Sequence, residues 1–143
     1  MQVYGSSVGR TLDELIDAAA SRIRRYTPDE AYEAAANGAA LVDIRSQDAR
    51  ERDGAIPGAH HIPRTVLEWR LASDDWRNEA LDGKTIVLVC DHGYSSILAA
   101  ATLTELGRDA GDLAGGFEAW KAAGLPVVGA RRHEGMPGTG PPD

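Results

Sequence analysis

The sequence predicts an α/β domain in which a central, mainly parallel sheet is covered by helices on both faces. Two short apolar runs, 39–44 and 85–89, are typical of buried strands, and helix-like stretches lie around and between them. The chain has 143 residues, 43% of them hydrophobic, which is enough for one domain with a core and too short for two. We therefore expect a single globular domain.

Start and stop signals place the helices. Thr11 and Glu14 have the spacing of a capping box, and apolar residues at helical spacing follow, so an amphipathic helix is predicted there. A second helix is predicted after Thr27, with Pro28 at its first position and an end near Gly38. Further elements are expected as helices over 64–71, 96–106 and 117–123 and as a short strand over 112–114.

These elements divide the chain into three parts. Residues 1–25 are predicted to form an N-terminal helical extension packed on the domain, residues 26–128 the domain itself, and residues 129–143 a disordered tail, because Gly, Pro and charge dominate them. A basic cluster closes the extension, and we interpret it as a solvated helix end: Arg22, Arg24 and Arg25. The tryptophans are interpreted as packing anchors: Trp69, Trp76 and Trp120.

Composition and charge exclude several classes of function. The formal net charge of -7 disfavours nucleic acid and anionic lipid as partners. No apolar stretch is long enough to cross a bilayer, and the first residues lack the pattern of a signal peptide, so we expect no membrane partner and a cytoplasmic location. A single cysteine fits a reducing compartment. His60, His61 and His133 form no metal-ligand pattern with each other or with Cys90, and we expect neither a metal nor a cofactor.

The only cysteine, Cys90, lies where the second apolar run ends and a helix is about to begin. Unpaired backbone N–H groups and the helix dipole favour negative charge at such a point, so the thiol can ionise to a nucleophilic thiolate near neutral pH. Reactive sites of parallel sheets lie beyond the carboxyl ends of the strands. We therefore expect residues 43–45, which follow the first run, to converge on residues 90–96, which follow the second.

Four segments, taken in order, resemble the landmarks of the rhodanese family. They are Asp43-Ile44-Arg45, the Gly-Ala-Ile-Pro-Gly-Ala sequence at 54–59, Val87-Leu88-Val89-Cys90, and the stretch from Gly115-Gly116 to Pro126. The resemblance covers residues 26–128. It implies a rhodanese-like three-layer fold and a sulfurtransferase whose Cys90 accepts sulfane sulfur from a donor, forms a persulfide and passes the sulfur to a thiol or to cyanide.

The resemblance also implies a substrate-binding loop around the sulfur, made of Asp91, His92, Gly93, Tyr94, Ser95 and Ser96. In such a loop the backbone N–H groups point at the sulfur, which requires the conformational freedom of Gly93. Ser95 and Ser96 add hydroxyl donors, and we expect Ser96 to cap the following helix as well. The His92 side chain is expected to point outward, and Tyr94 to shape the rim.

The loop departs from the family pattern C-x-x-G-x-R-S/T, because Ser95 occupies the Arg position and Asp91 follows the nucleophile. Cations for an anionic donor must then come from elsewhere, and we predict that Arg50 reaches the mouth of the site. Arg45 is a second candidate, although a structural ion pair near Asp43 is the interpretation we favour for it. The partners expected are a small-molecule sulfur donor, thiosulfate by default or else a low-molecular-weight or protein persulfide, and a thiol or cyanide acceptor.

Three other functions are compatible with a lone reactive cysteine. The first is a rhodanese-like binding or regulatory module without turnover. The second is a phosphatase or arsenate reductase, which in related folds needs an Arg six positions after the Cys, where this chain has Ser96. The third is redox sensing, for which the chain has no second cysteine to resolve a sulfenic acid. The sequence leaves the oligomeric state open.

Overall fold

The computed structural model describes residues 9–130, so residues 1–8, most of the predicted tail and His133 lie outside the described residues. A parallel sheet of five strands forms its centre: β1 (Arg25–Tyr26), β2 (Ala40–Asp43), β3 (His60–His61), β4 (Ile86–Val89) and β5 (Ala110–Leu113). The strand order is β1-β5-β4-β2-β3, and every pairing between neighbours is parallel. The predicted α/β architecture with a mainly parallel sheet is confirmed.

Within residues 9–130, six helices surround the sheet: α1 (Leu12–Ala20), α2 (Pro28–Ala36), α3 (Gln47–Asp53), α4 (Leu67–Ala72), α5 (Ser95–Glu105) and α6 (Gly116–Ala122). Two short 3-10 turns, Arg64–Val66 and Glu79–Leu81, precede α4 and β4. None of the helices within residues 9–130 has the length and apolar character required to span a bilayer.

The core consists of two apolar layers separated by the central strands. Alternate residues of β4 enter opposite layers: Ile86 and Leu88 lie in one cluster, and Val87 and Val89 lie in the other. The first cluster contains residues of α4 and α5, and the second contains residues of α2 and α6. Both faces of β2 and β4 are therefore buried, which is why these strands read as continuous apolar runs in the sequence.

Helix α1 begins with the predicted capping box between Thr11 and Glu14. It contacts α5 through a third, smaller cluster that includes Ala19, Ile97 and Ala101. The basic cluster after α1 differs from its prediction, because Arg25 is the first residue of β1 and pairs in register with Asp112 of β5. Arg25 is therefore part of the sheet and is not a solvated helix end.

The tryptophans divide into two groups. Trp120 is 1% exposed, and its Nε1 donates a hydrogen bond to the carbonyl of Pro126, so it is the predicted packing anchor. Trp69 and Trp76 are 57% and 66% exposed, and the prediction is wrong for both. For Trp69 the reason is helix geometry: α4 buries Leu67 and Leu71, which lie four positions apart on one face, and Trp69 points away from that face.

Candidate active site

Cys90 directly follows β4, at the carboxyl edge of the sheet, and is 5% exposed. Residues 90–94, called the Cys90 loop below, connect β4 to α5. Gly93 has a φ of +85°, and its backbone N–H donates a hydrogen bond to Cys90 Sγ at 3.1 Å. The loop thus curls so that a backbone donor faces the sulfur, an arrangement suited to holding a negatively charged thiolate.

Ser96 lies on the other side of the sulfur and is completely buried. Its Oγ accepts a hydrogen bond from the Cys90 thiol at 3.3 Å and donates one to Asp112 Oδ2 at 2.6 Å. The predicted capping role of Ser96 is wrong, because α5 begins one residue earlier and its N-cap residue, Tyr94, makes no side-chain capping bond. Ser96 instead connects Cys90 to a buried carboxylate.

Asp112, on β5, is fully buried and is neutralised by Arg25 of β1. Arg25 Nε donates to Asp112 Oδ1 at 2.9 Å, and Nη2 donates to Oδ2 at 3.0 Å and to the carbonyl of Gly93 at 2.7 Å. Neither residue was predicted as a site residue. A carboxylate within a short buried strand requires a partner, and this was the one sequence signal available, but the two-residue strand that carries Arg25 has no recognisable pattern.

The surroundings of Cys90 shift the ionisation of its thiol. Burial raises the pKa of Cys90, whereas hydrogen bonds that its sulfur makes with the side chains of Ser96 and Ser95 and with the backbone N–H groups of Ser96 and Gly93 lower it. The donors prevail, and the pKa lies below the ordinary value of a cysteine. The site therefore favours the thiolate that nucleophilic chemistry requires.

The turn before α6 supports the Cys90 loop from behind. Phe117 N donates to the carbonyl of Cys90 at 2.7 Å, and Glu118 N donates to the carbonyl of Asp91 at 3.1 Å. Gly116 has a φ of +64°, and a Cβ atom placed there would lie 2.5 Å from the Cys90 carbonyl oxygen. The glycine pair of the fourth landmark segment is therefore required for the close approach of these two backbones.

Arg45 and Arg50 both bind Asp43 at the end of β2. The Arg45 guanidinium donates to Asp43 through Nε at 3.0 Å and Nη2 at 2.8 Å, donates to the carbonyl of Gly54, and lies 4.0 Å from the centre of the Phe117 ring. Arg50 Nε donates to the same carboxylate at 3.3 Å, and its Nη1 donates to Gln47. These contacts support the structural interpretation of Arg45, and they place Arg50 in the same network.

The segments at 43–45 and 90–96 do converge, as expected. Ile44 N donates to the carbonyl of Val89, and Arg45 Nη1 lies 4.0 Å from Asp91 Oδ1. Within residues 9–130 this Nη1 atom is buried and has no hydrogen-bond partner. The Asp91 side chain is 45% exposed. The negative charge next to Cys90 is thus partly balanced by a buried guanidinium.

Two further loop residues and the first residue of α5 form an exposed rim. His92, Tyr94 and Ser95 are all exposed, with Tyr94 at 67%. His92 therefore lies at the surface, as expected. In the part of the chain from 9 to 130, no group of three or more His, Cys, Asp or Glu side chains is arranged to hold a metal ion.

Comparison with known proteins agrees with this geometry. The profile of the Rhodanese-like domain matches residues 27–123, which is more than half of the chain. The chain belongs to the rhodanese-like family. Arg25 lies just before the matched region, whereas Asp112 lies within it.

Among curated proteins, the chain is 40% identical over 103 residues to thiosulfate sulfurtransferase GlpE of Pseudomonas entomophila, covering 71% of this chain and 88% of that protein. A solved structure from Rhodopseudomonas palustris, described as a protein of unknown function and possible tyrosine phosphatase, is 31% identical with a TM-score of 0.76, covering 87% of this chain and 99% of that one. The polysulfide-sulfur transferase homodimer of Wolinella succinogenes is 25% identical with a TM-score of 0.66, covering 86% and 90%. The predicted family and its class, a sulfurtransferase enzyme, are confirmed.

Proposed function

We propose that this protein transfers sulfane sulfur through a persulfide on Cys90, with thiosulfate as the default donor. One observation carries the proposal: a cysteine with a lowered pKa lies at the carboxyl edge of a parallel sheet, and hydrogen-bond donors converge on its sulfur. Covalent catalysis of this kind divides a difficult transfer into two easier steps. The other proposed donors are a low-molecular-weight persulfide and a protein persulfide.

In the first step, the Cys90 thiolate attacks the outer sulfur of thiosulfate. A new S–S bond forms, the S–S bond of the donor breaks, and sulfite leaves with the electron pair. In the second step, a thiolate or cyanide attacks the outer sulfur of the persulfide. Cys90 leaves as a thiolate, and the product is an acceptor persulfide or thiocyanate. The donors around the sulfur stabilise the negative charge that returns to Cys90.

Each proposed binding residue has a role that fits its contacts. Gly93 and Ser96 hold the sulfur directly, and Ser95 contributes a hydroxyl donor. Asp91, His92 and Tyr94 would line the entrance. Arg45 and Arg50 add positive charge at the end of β2, beside Asp43, so we propose that they attract an anionic donor through their field without a direct contact.

The proposed catalytic unit is residues 26–128. Residues 1–25 are proposed as an extension that completes it, because α1 covers α5 and Arg25 reaches the Cys90 loop. We also propose that the protein acts in the cytoplasm, where reducing conditions keep a single thiol free.

A donor panel tests this function. The protein is incubated with thiosulfate, mercaptopyruvate or glutathione persulfide, and the intact mass is measured, followed by thiocyanate formation on addition of cyanide. We expect one added sulfur atom and turnover with at least thiosulfate, and neither in Cys90→Ser. If no donor adds sulfur to the native protein, the chain is a binding or regulatory module and the proposal is wrong.

The phosphatase alternative has a specific objection in the structure. Ser96 occupies the position where a phosphatase of this kind needs an Arg to bind the tetrahedral anion. The Ser96 hydroxyl already donates a hydrogen bond to the buried Asp112 carboxylate. A phosphate at that point would meet a negative group in place of a guanidinium. Hydrolysis of an aryl phosphate that disappears in Cys90→Ala would contradict this conclusion.

A further inference from the structure

A series of hydrogen bonds, fully buried between Cys90 and Asp112, connects the proposed nucleophile to an ion pair that the proposed mechanism does not use. It runs from the Cys90 thiol to Ser96 Oγ at 3.3 Å, from that hydroxyl to Asp112 Oδ2 at 2.6 Å, and from Asp112 to Arg25. The Ser96 hydroxyl has one proton and two possible acceptors. While Cys90 is a thiol, the hydroxyl donates this proton to the Asp112 carboxylate. A thiolate at Cys90 would compete for the same proton.

We propose that Asp112 and Arg25 are positioning residues that control the direction of the Ser96 hydroxyl proton, towards Asp112 while Cys90 is a thiol and towards the sulfur once it is a thiolate. The thiol proton leaves to solvent, and Ser96 keeps its own proton and rotates. The inference rests on the proposed function only in taking the thiolate as the working state.

Arg25 makes this rotation possible because it holds both oxygens of the carboxylate. When Ser96 turns to the sulfur, Asp112 still accepts hydrogen bonds from Arg25 Nε and Nη2, so no buried charge is left without a partner. The same Nη2 donates to the carbonyl of Gly93, whose N–H donates to Cys90 Sγ. One guanidinium thus supports two of the donors to the thiolate, Ser96 through Asp112 and Gly93 through its carbonyl.

Other charged or titratable groups near Cys90 differ from this pair in position. Asp91 is half-exposed and lies beside Arg45 of the β2 end, while His92 and Tyr94 are on the exposed rim. Asp112 is completely buried, and Arg25 is about one-third exposed at the side chain. The buried carboxylate is therefore screened least, and it has the strongest effect on the Ser96 proton.

The test is the pH dependence of alkylation by iodoacetamide. The alkylation of thiols reports on Cys90 alone, because Cys90 is the only cysteine in the sequence. Asp112→Asn removes the competing acceptor, so we expect the titration midpoint to fall by about one pH unit. Arg25→Gln leaves the carboxylate holding the Ser96 proton more strongly and should raise the midpoint by a similar amount. Ser96→Ala should also raise the titration midpoint, because it removes a donor to the thiolate.

Arg22→Gln is the matched control, since Arg22 pairs at the surface with Glu105. This substitution should not change the midpoint.

A double-mutant cycle separates positioning from simple charge or structure. If Asp112 acts through the hydroxyl, most of the shift caused by Asp112→Asn disappears in the Ser96→Ala background. A rise of the midpoint in Asp112→Asn would mean that the carboxylate takes the thiol proton through Ser96, and this would overturn the proposal. A shift that persists without Ser96 would overturn it as well.

Asp112→Asn is replaced in the test if circular dichroism shows that it does not fold. The shift of the alkylation midpoint caused by Arg25→Gln is then measured in the native and the Ser96→Ala backgrounds, and it tests the same proposal. Here too, a shift that does not depend on Ser96 contradicts positioning. Alkylation requires no sulfur donor, so the midpoint can be interpreted even if no donor in the panel adds sulfur to the protein. A positive donor panel likewise stands if the positioning proposal is wrong.

Discussion

At the scale of single residues, we expect the charges around Cys90 to determine which sulfur donors reach it. Arg25 and Asp112 form an ion pair beside Ser96. The Arg45 side chain donates two hydrogen bonds to the Asp43 carboxylate. Asp91 is more exposed than any of these side chains, at 45%, and it lies 4.0 Å from the nearest Arg45 nitrogen. Its carboxylate therefore opposes the approach of a dianion such as thiosulfate.

Asp91→Asn should lower the KM for thiosulfate by about threefold, because a half-exposed charge is partly screened by solvent. The positive charge of the buried Arg45 guanidinium, 4.0 Å from Asp91, would then no longer be offset by that carboxylate. The measurement is steady-state thiocyanate formation at two salt concentrations, with the gain smaller at high salt. Asp74→Asn is the matched control, because Asp74 is an exposed acid that pairs with Arg77 far from the loop in sequence. An equal effect on donors of every charge would contradict the electrostatic explanation.

At the scale of elements, the turn before α6 positions the Cys90 loop by close backbone contact. Gly116 combines a φ of +64° with a hypothetical Cβ position 2.5 Å from the Cys90 carbonyl, whereas Gly124 has a φ of +77° and open space around it. The two glycines therefore share the conformational requirement and differ in the contact. This difference allows the contribution of the contact to be measured separately.

Gly124→Ala should lower the free energy of unfolding by about 1 kcal/mol, the cost of a left-handed conformation for alanine, and leave sulfur transfer unchanged. Gly116→Ala should cost about 1–3 kcal/mol more, because the new methyl group displaces the Cys90 loop, and it should reduce kcat at least tenfold. Urea denaturation and turnover with thiosulfate measure the two effects. Equal losses in both variants would show that the contact with the loop is unimportant.

The sequence identifies the elements whose signals are local. The apolar runs of β2 and β4 and the capping box of α1 all follow from patterns within a few residues. Strand β1 has two residues and is recognised only through its register with β5, and α3 is a polar helix that buries Ala49 alone. Both were missed because tertiary contacts stabilise them, and pattern and propensity do not.

In the candidate site, too, the residues with a local sequence signal are predictable and those joined only by tertiary contacts are not. Cys90 and its loop are contiguous, so their position at a strand end predicts them. The pair formed by Arg25 and Asp112 joins residues 87 positions apart, and no local pattern connects them. Arg25 was therefore assigned to a helix end, although it supports the loop that contains Cys90.

At the scale of the whole molecule, the ionisation of Cys90 is coupled to folding. The pKa of Cys90 is lowered in the folded protein relative to the ordinary value of a cysteine thiol, which an unfolded chain approximates. Below the folded pKa, both states carry a thiol, and the shift contributes nothing. Between the two pKa values, the folded state is ionised and the unfolded state is not, so the contribution to stability grows with pH. Above the unfolded value it is fully present, and it is lost again as the pH falls through the folded pKa.

We therefore expect the free energy of unfolding of the native protein, minus that of Cys90→Ser, to rise with pH across this window and to level off above about pH 8.5. Serine does not ionise in this range and is similar in size, so the difference removes the titration of every other group that the two proteins share. Urea denaturation at a series of pH values, under reducing conditions, gives the curve. The onset of the rise should coincide with the midpoint of Cys90 alkylation, because both report the folded pKa. A difference that stays flat, or that falls with pH, would mean that the hydrogen bonds to the sulfur do not overcome its burial, and the thiolate would then have to be generated by the bound donor.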